Sequence, residues 1–133
     1  MDIRKIKIHE VLTCNPNDNI TSIAKKLKNN NERRIFVVDS NEKLLGIITT
    51  TDLVYKVLAK NKENQKAKEI MTKNVKTVDT SDELNKALEI MNEIKSFSCP
   101  LTENNKIIGL ISYHDLIGHL FSSLSKDNEN GID

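Results

Sequence analysis

The sequence predicts an α/β fold of the α+β kind, made of two copies of one strand-helix-strand-strand-helix unit, and three observations predict it. Gly46-Ile47-Ile48-Thr49-Thr50-Thr51-Asp52-Leu53 returns 63 residues later as Gly109-Leu110-Ile111-Ser112-Tyr113-His114-Asp115-Leu116. The likeness extends to both sides. A shift of 64 pairs Ile6 with Ile70, Val11 with Val75, Thr13 with Thr77, Asp18 with Asp82 and Leu27 with Met91, and a shift of 63 pairs Leu53 with Leu116, Val57 with Leu120 and Leu58 with Phe121. The residue separating the two shifts falls in the turn Ser40-Asn41-Glu42-Lys43, shortened to Asn104-Asn105-Lys106 in the second copy, and turns tolerate changes of length. Third, apolar residues switch between helical and strand periods in the same order in both copies.

The elements follow from local chemistry. Residues 1–8 mix charge with Ile and read as a lead-in segment able to pack against a repeat. Val11 to Cys14 is a short strand, and Asn15-Pro16-Asn17-Asp18 is a turn ending in a helix N-cap. Ile20, Ile23, Ala24 and Leu27 then mark one helical face. The second copy offers a strand from Val75 to Val78, a capping box from Thr80 to Glu83 and the face Leu84, Ala87, Leu88, Met91. Ile35 to Asp39 and Leu44 to Thr49 are β-branched runs joined by a polar turn, a hairpin repeated by Cys99 to Glu103 and Ile107 to Ser112. Each hairpin feeds a helix, from about Asp52 to Ala59 and from about Asp115 to Leu124. The division expected is a first repeat over 1–60 with its lead-in, a polar linker over 61–66, a second repeat over 67–124 and a disordered tail over 125–133.

Composition excludes several classes. Twenty Lys and Arg against 19 Asp and Glu give a net charge of +1, too little field to recruit nucleic acid or an anionic membrane surface. The longest apolar runs are five residues, as in Ile107 to Ile111, far short of a membrane span. The first residues show no basic start followed by an apolar stretch, so no secretory signal is expected. Cys14 and Cys99 lie at non-equivalent positions, as two ordinary thiols of a reducing cytoplasm would. His9, His114 and His119 are scattered without metal-ligand spacing, and Ser112, His114 and Asp115 crowd one turn too closely to form a catalytic triad. Neither catalysis nor a metal is expected.

The repeated Gly-x-x-[Thr/Ser]-x-x-Asp ending of a hairpin, with Ala67-Lys68-Glu69-Ile70-Met71-Thr72 as an opening and Arg33-Arg34-Ile35-Phe36-Val37-Val38-Asp39 as the strand after the first helix, resembles the cystathionine-β-synthase-type (CBS) domain. The resemblance covers almost the whole chain and, as a tandem pair, resembles a Bateman module. It implies two units packed about a pseudo-twofold axis, adenosyl ligands in the clefts between them, and a homodimer. The resemblance makes Asp52 and Asp115 ribose acceptors, since a carboxylate can take bonds from both ribose hydroxyls. Thr49, Thr51 and Ser112, with helix-start N–H groups, are phosphate candidates; Arg34, with Arg33 beside it, matches a position where a basic residue often reaches phosphate. Val11, Val75, Ile35 and Cys99 are the expected apolar walls for a base, Ser98 leaves room for one, and His114 is a ribose or phosphate neighbour.

The copies are not equivalent. Phe97-Ser98 stands where Arg33-Arg34 stands, and His114 where Thr51 stands, so one better site is expected, at Asp52, Thr49 and Arg34. The expected protein is a non-catalytic cytoplasmic sensor with no required cofactor, which binds AMP, ADP, ATP, S-adenosylmethionine, NAD or a cyclic dinucleotide and reports occupancy to an effector protein. The rival from another class is a structural dimerisation module with empty clefts, whose Asp residues are helix caps and nothing more. An enzyme acting on nucleotides is a third possibility.

Overall fold

The structure, a computed structural model, describes residues 2–131, with side chains for residues 2–124. The first repeat carries strand β1 (Thr13–Cys14), helix α1 (Ile20–Asn29), β2 (Arg34–Val38), β3 (Leu44–Thr49) and a helix that starts as α2 (Thr50–Asp52). That helix continues as a π-turn over Leu53–Val57 and a 3-10 turn over Leu58–Lys60. The second carries α3 (Ala67–Ile70), β4 (Val78–Asp79), α4 (Leu84–Ile94), β5 (Ser98–Glu103), β6 (Lys106–Ser112) and α5 (Tyr113–Gly131). Each repeat makes a three-stranded sheet, ordered β1-β2-β3 and β4-β5-β6. The first two strands of each are parallel across a helix, as β-α-β units require. The β2–β3 hairpin is antiparallel, with Arg34 opposite Thr49 and Ile35 opposite Ile48. The central strand is buried from Ile35 to Val38, which explains why its sequence reads as a continuous apolar run instead of alternating.

Local chemistry departs from the expectations at the helix ends. The α1 cap is Asn19, whose side chain accepts from Ser22 N at 2.8 Å; Asp18 closes the preceding turn by accepting from Asn15 N at 3.0 Å. No capping box forms between Thr80 and Glu83. Glu83 is itself the α4 cap position, its side chain making no cap bond, and Asp79 takes the turn by accepting from Ser81 N and Oγ. Ala24 is exposed while Ile20, Ile23 and Leu27 are buried. The last helices begin at Thr50 and Tyr113, so Asp52 and Asp115 sit at the third helical position, not the first. Helix α5 runs on to Gly131, past the start expected for a disordered tail. No proline interrupts it, and extending an existing helix costs far less than starting one.

Two compact units form, and they are not bounded like the repeats. One contains the N-terminal segment to Glu10, Lys76–Asn104 and the chain from Ile108; the other contains Val11–Val75 with Asn105–Ile107. The first core gathers Ile3 and Ile6 with Val78, Leu84, Leu101, Ile111 and Leu116. The second gathers Ala67 and Ile70 with Ile20, Ile23, Leu27, Ile35 and Ile48. Each hairpin is therefore covered by the lead-in segment of the other repeat.

Glycine makes this possible at two points. Thr72 exchanges backbone bonds with Ile47, and His9 with Leu110, at 2.9 to 3.0 Å. A Cβ on Gly46 would lie 2.8 Å from the Thr72 carbonyl oxygen, and one on Gly109 would lie 2.6 Å from that of His9. We expect Gly46→Ala and Gly109→Ala each to cost about 1–3 kcal/mol, as overpacking does. Gly118→Ala, in open space on α5, should instead stabilise by about 0.5–1 kcal/mol. Chemical denaturation of the three variants checks the contrast.

Candidate functional site

The strand-to-helix turn after β3 is a reciprocal clasp. Thr49 Oγ1 accepts from Asp52 N at 3.2 Å, and Asp52 Oδ2 accepts from Thr49 N at 2.9 Å. This is the arrangement that satisfies orphan N–H groups at a helix start. The other oxygen, Oδ1, lies 3.2 Å from Lys56 Nζ, one helical turn on. Lys56 also donates to the Ile70 carbonyl at 3.2 Å and to Thr72 Oγ1 at 3.1 Å. Asp52 is thus held from both sides, yet each of its oxygens keeps a lone pair, because an ionised carboxylate can accept about four bonds.

The sheet brings Arg34 to this turn, opposite Thr49 across the hairpin, and the Arg33 carbonyl accepts from Thr50 N at 3.0 Å. Neither guanidinium has a side-chain partner among the described residues. Lys56 also lines a depression of about 180 Å³ with Lys60, Lys62, Gln65, Glu69 and Ile70. Lys56 is thus the cation placed directly against the Asp52 carboxylate, and Arg34 stands on the neighbouring strand opposite its clasp partner Thr49.

The turn after β6 is built differently. Ser112 Oγ accepts from Asp115 N at 3.1 Å and donates to Asp115 Oδ2 at 2.8 Å. The same Oδ2 lies 2.6 Å from His9 Nε2. The His9 hydrogen bond, then that of Ser112, holds the Asp115 carboxyl below the usual carboxylate range, with the charges of His9 and Lys7 adding and partial burial opposing. Tyr113 N donates to the Phe97 carbonyl at 2.7 Å as Thr50 N does to that of Arg33. Phe97 thus occupies the arginine's place, and this turn has no guanidinium.

Other sequence candidates divide by burial. Thr51 and His114 are exposed, while Val11, Val75 and Ser98 are half-buried. Ile35 and Cys99, expected as walls, are fully buried in the cores, on sheet faces that the helices cover. Burial pushes the Cys99 thiol up to about 11, and also that of Cys14, where Asp18 adds to the effect; both are protonated and inert as nucleophiles. Lys56, Thr72 and His9 were missed. Lys56 carried a signal, its spacing of four from Asp52; His9, 106 residues from Asp115, carried none. A separate groove of about 500 Å³ lies over α4, lined by Leu88, Met91, Asn92, Lys95, Phe97 and Tyr113 among others. It holds no carboxylate and none of the hydroxyl-carboxylate pairs, so the turns remain the candidate sites.

A model of the CBS domain matches residues 3–59 and again 67–122. The chain belongs to the CBS domain family. Its two turns are equivalent points of two CBS repeats. Among relatives, the uncharacterized protein MK0525 of Methanopyrus kandleri is 28% identical over 88% of this chain and 61% of its own length. The uncharacterized protein YlbB of Bacillus subtilis is 33% identical over 83% of this chain and 79% of its own. The CBS domain pair of protein MJ0100, solved in complex with 5′-methylthioadenosine and S-adenosyl-L-methionine, is 29% identical over 92% of this chain and 97% of its own, with a TM-score of 0.70. Among the described residues, no helix is long and apolar enough to cross a membrane.

The lowered Asp115 carboxyl has a stability consequence. Its contribution is present above the unfolded carboxylate value of 3.8 and is lost as pH falls through the lower folded value. Thermal unfolding should show Asp115→Asn less stable than the parent near neutrality, with the gap closing as the solution is acidified below that value. A gap that stayed constant would mean that His9 and Ser112 do not favour the ionised form.

Proposed function

We propose that this chain is a non-catalytic regulatory module that binds an adenosyl ligand at the strand-to-helix turns and passes occupancy to a partner protein. The observation that carries the proposal is the juxtaposition, at the end of one hairpin, of the Asp52 carboxylate, the Thr49 hydroxyl and Arg34, whose guanidinium has no side-chain partner among the described residues. A ribose needs an acceptor for its two hydroxyls, and a phosphate needs a bidentate donor; one turn offers both. The CBS pair of MJ0100, which takes two adenosyl compounds, supports the ligand class.

The two turns suit different adenosyl ligands. Around Asp52, Arg34 and the lysines favour an anionic tail, as in AMP, ADP or ATP. Around Asp115 there is no guanidinium, and an adenosyl group without phosphate, such as methylthioadenosine or S-adenosylmethionine, fits better. A ligand can signal only by the difference in its affinity for two arrangements of the protein, so the effector must sense a change that occupancy favours. The second reading, a structural association module, draws on exposed apolar side chains along the last helices, Val54, Tyr55 and Leu58 after β3 and Phe121 and Leu124 on α5.

A thermal-shift panel at about 1 mM ligand separates the readings. A ligand at about a hundred times its Kd adds roughly 2.7 kcal/mol, which for a chain of this size raises the Tm by on the order of 10 °C. We expect AMP or ATP to give such a shift and Asp52→Asn to remove it. Arg34→Ala should weaken AMP about tenfold, the order of a charge-assisted bond, and leave adenosine nearly unaffected. No shift with any adenosyl compound would favour the association module.

A further inference from the structure

The two turns take their counter-charge from different elements. Their lead-in segments are equivalent: the Thr72 carbonyl meets Gly46, and the His9 carbonyl meets Gly109. By this pairing His9 corresponds to Thr72, and Lys56 on its helix corresponds to His119 on α5. At Asp52 the cation is Lys56, from the helix, and the lead-in residue Thr72 only accepts from it. At Asp115 the lead-in itself supplies the charge, through His9.

We propose that His9 is a titratable gate on the Asp115 turn, whereas Lys56 gives the Asp52 turn a permanent counter-charge. The proposal rests on the adenosyl reading above. Oδ2 of Asp115 already takes the Ser112 hydroxyl at 2.8 Å and His9 Nε2 at 2.6 Å, which fills its two lone-pair directions. A ribose that donates to both carboxylate oxygens must therefore displace one of them. Ser112 is pinned, because its Oγ also caps Asp115 N. The His9 side chain is 40% exposed and can swing out while its backbone stays paired with Leu110.

Histidine changes charge between about pH 5 and 8, and lysine keeps its charge through that range. An imidazolium holds the carboxylate more tightly than a neutral ring, so low pH shuts the gate and high pH opens it. Among the other charged or titratable groups, Lys7 in the same segment acts on Asp115, Glu10 follows His9 in the chain, His114 precedes Asp115 on α5 and His119 lies one helical turn beyond it; β6 contributes the Ser112 hydroxyl. Linkage requires the converse as well: a ligand that expels His9 favours loss of its proton.

The test uses equilibrium dialysis of 5′-methylthioadenosine, uncharged over this range, against the full chain carrying Asp52→Asn. Affinity should rise about fivefold from about pH 5.5 to about pH 8, the low end of ordinary coupling between sites because both side chains are partly exposed. Adding His9→Asn should abolish the slope and raise affinity at the acid end, while His114→Asn or His119→Asn keeps the slope. Binding that appears at no pH with His9 present and only after His9→Asn shows a block that does not titrate, and also overturns the gate. A flat profile with His9 present, or a slope that survives His9→Asn, overturns it. Binding to the chain with Asp52 intact but none at the Asp115 turn in any variant overturns the gate alone; no adenosyl binding at either turn overturns the adenosyl reading and the gate together.

Discussion

Backbone contact at Gly46 and Gly109 is the constraint on which the rest depends. Each glycine admits a carbonyl where any side chain would collide, and so each hairpin accepts an edge segment from the other repeat. That segment delivers apolar side chains to the core, Ile3 and Ile6 in one unit and Ala67 and Ile70 in the other. It also delivers polar groups to the turn three residues beyond the glycine. Thr72 reaches Lys56, and His9 reaches Asp115. A single requirement for close approach thus sets both packing and site chemistry.

The carboxylates serve the fold and the site with the same atoms. A Thr or Ser cap is worth about 1 kcal/mol to its helix, and the third-position Asp completes the clasp after β3 by accepting from the Thr49 N–H. The same bonds keep the carboxylate oriented, so a ligand that uses it loses little side-chain freedom on binding. Holding is not uniform, however. Asp52 shares its bonds between two oxygens, while the described bonds of Asp115 concentrate on one. Two sequence-equivalent aspartates therefore present different acceptors.

Much of this was legible in the sequence because the signals are local or periodic. The repeat, the two hairpins and the Thr/Ser-to-Asp spacing all follow from short-range pattern, and Arg34 falls opposite Thr49 once the hairpin register is known. What stayed hidden was decided over long range. Nothing near His9 points to Asp115, and nothing near Ile3 says that it packs with Leu101 and Leu116 instead of in its own repeat. Asn19 and Asp18 are both good caps, and the choice between them depends on Asp18 being occupied by the Asn15 N–H. That Ile35 and Cys99 would be buried completely also depended on the helices that cover their sheets.

The most direct test of the central claim, that the strand-to-helix turns are the ligand sites, is amide mapping by two-dimensional nitrogen-proton NMR as AMP is added. The account predicts that the signals of Arg34, Thr49, Thr50 and Asp52 move first and saturate together. Movement confined to the groove of Leu88, Phe97 and Tyr113, with the turns unchanged, would contradict it.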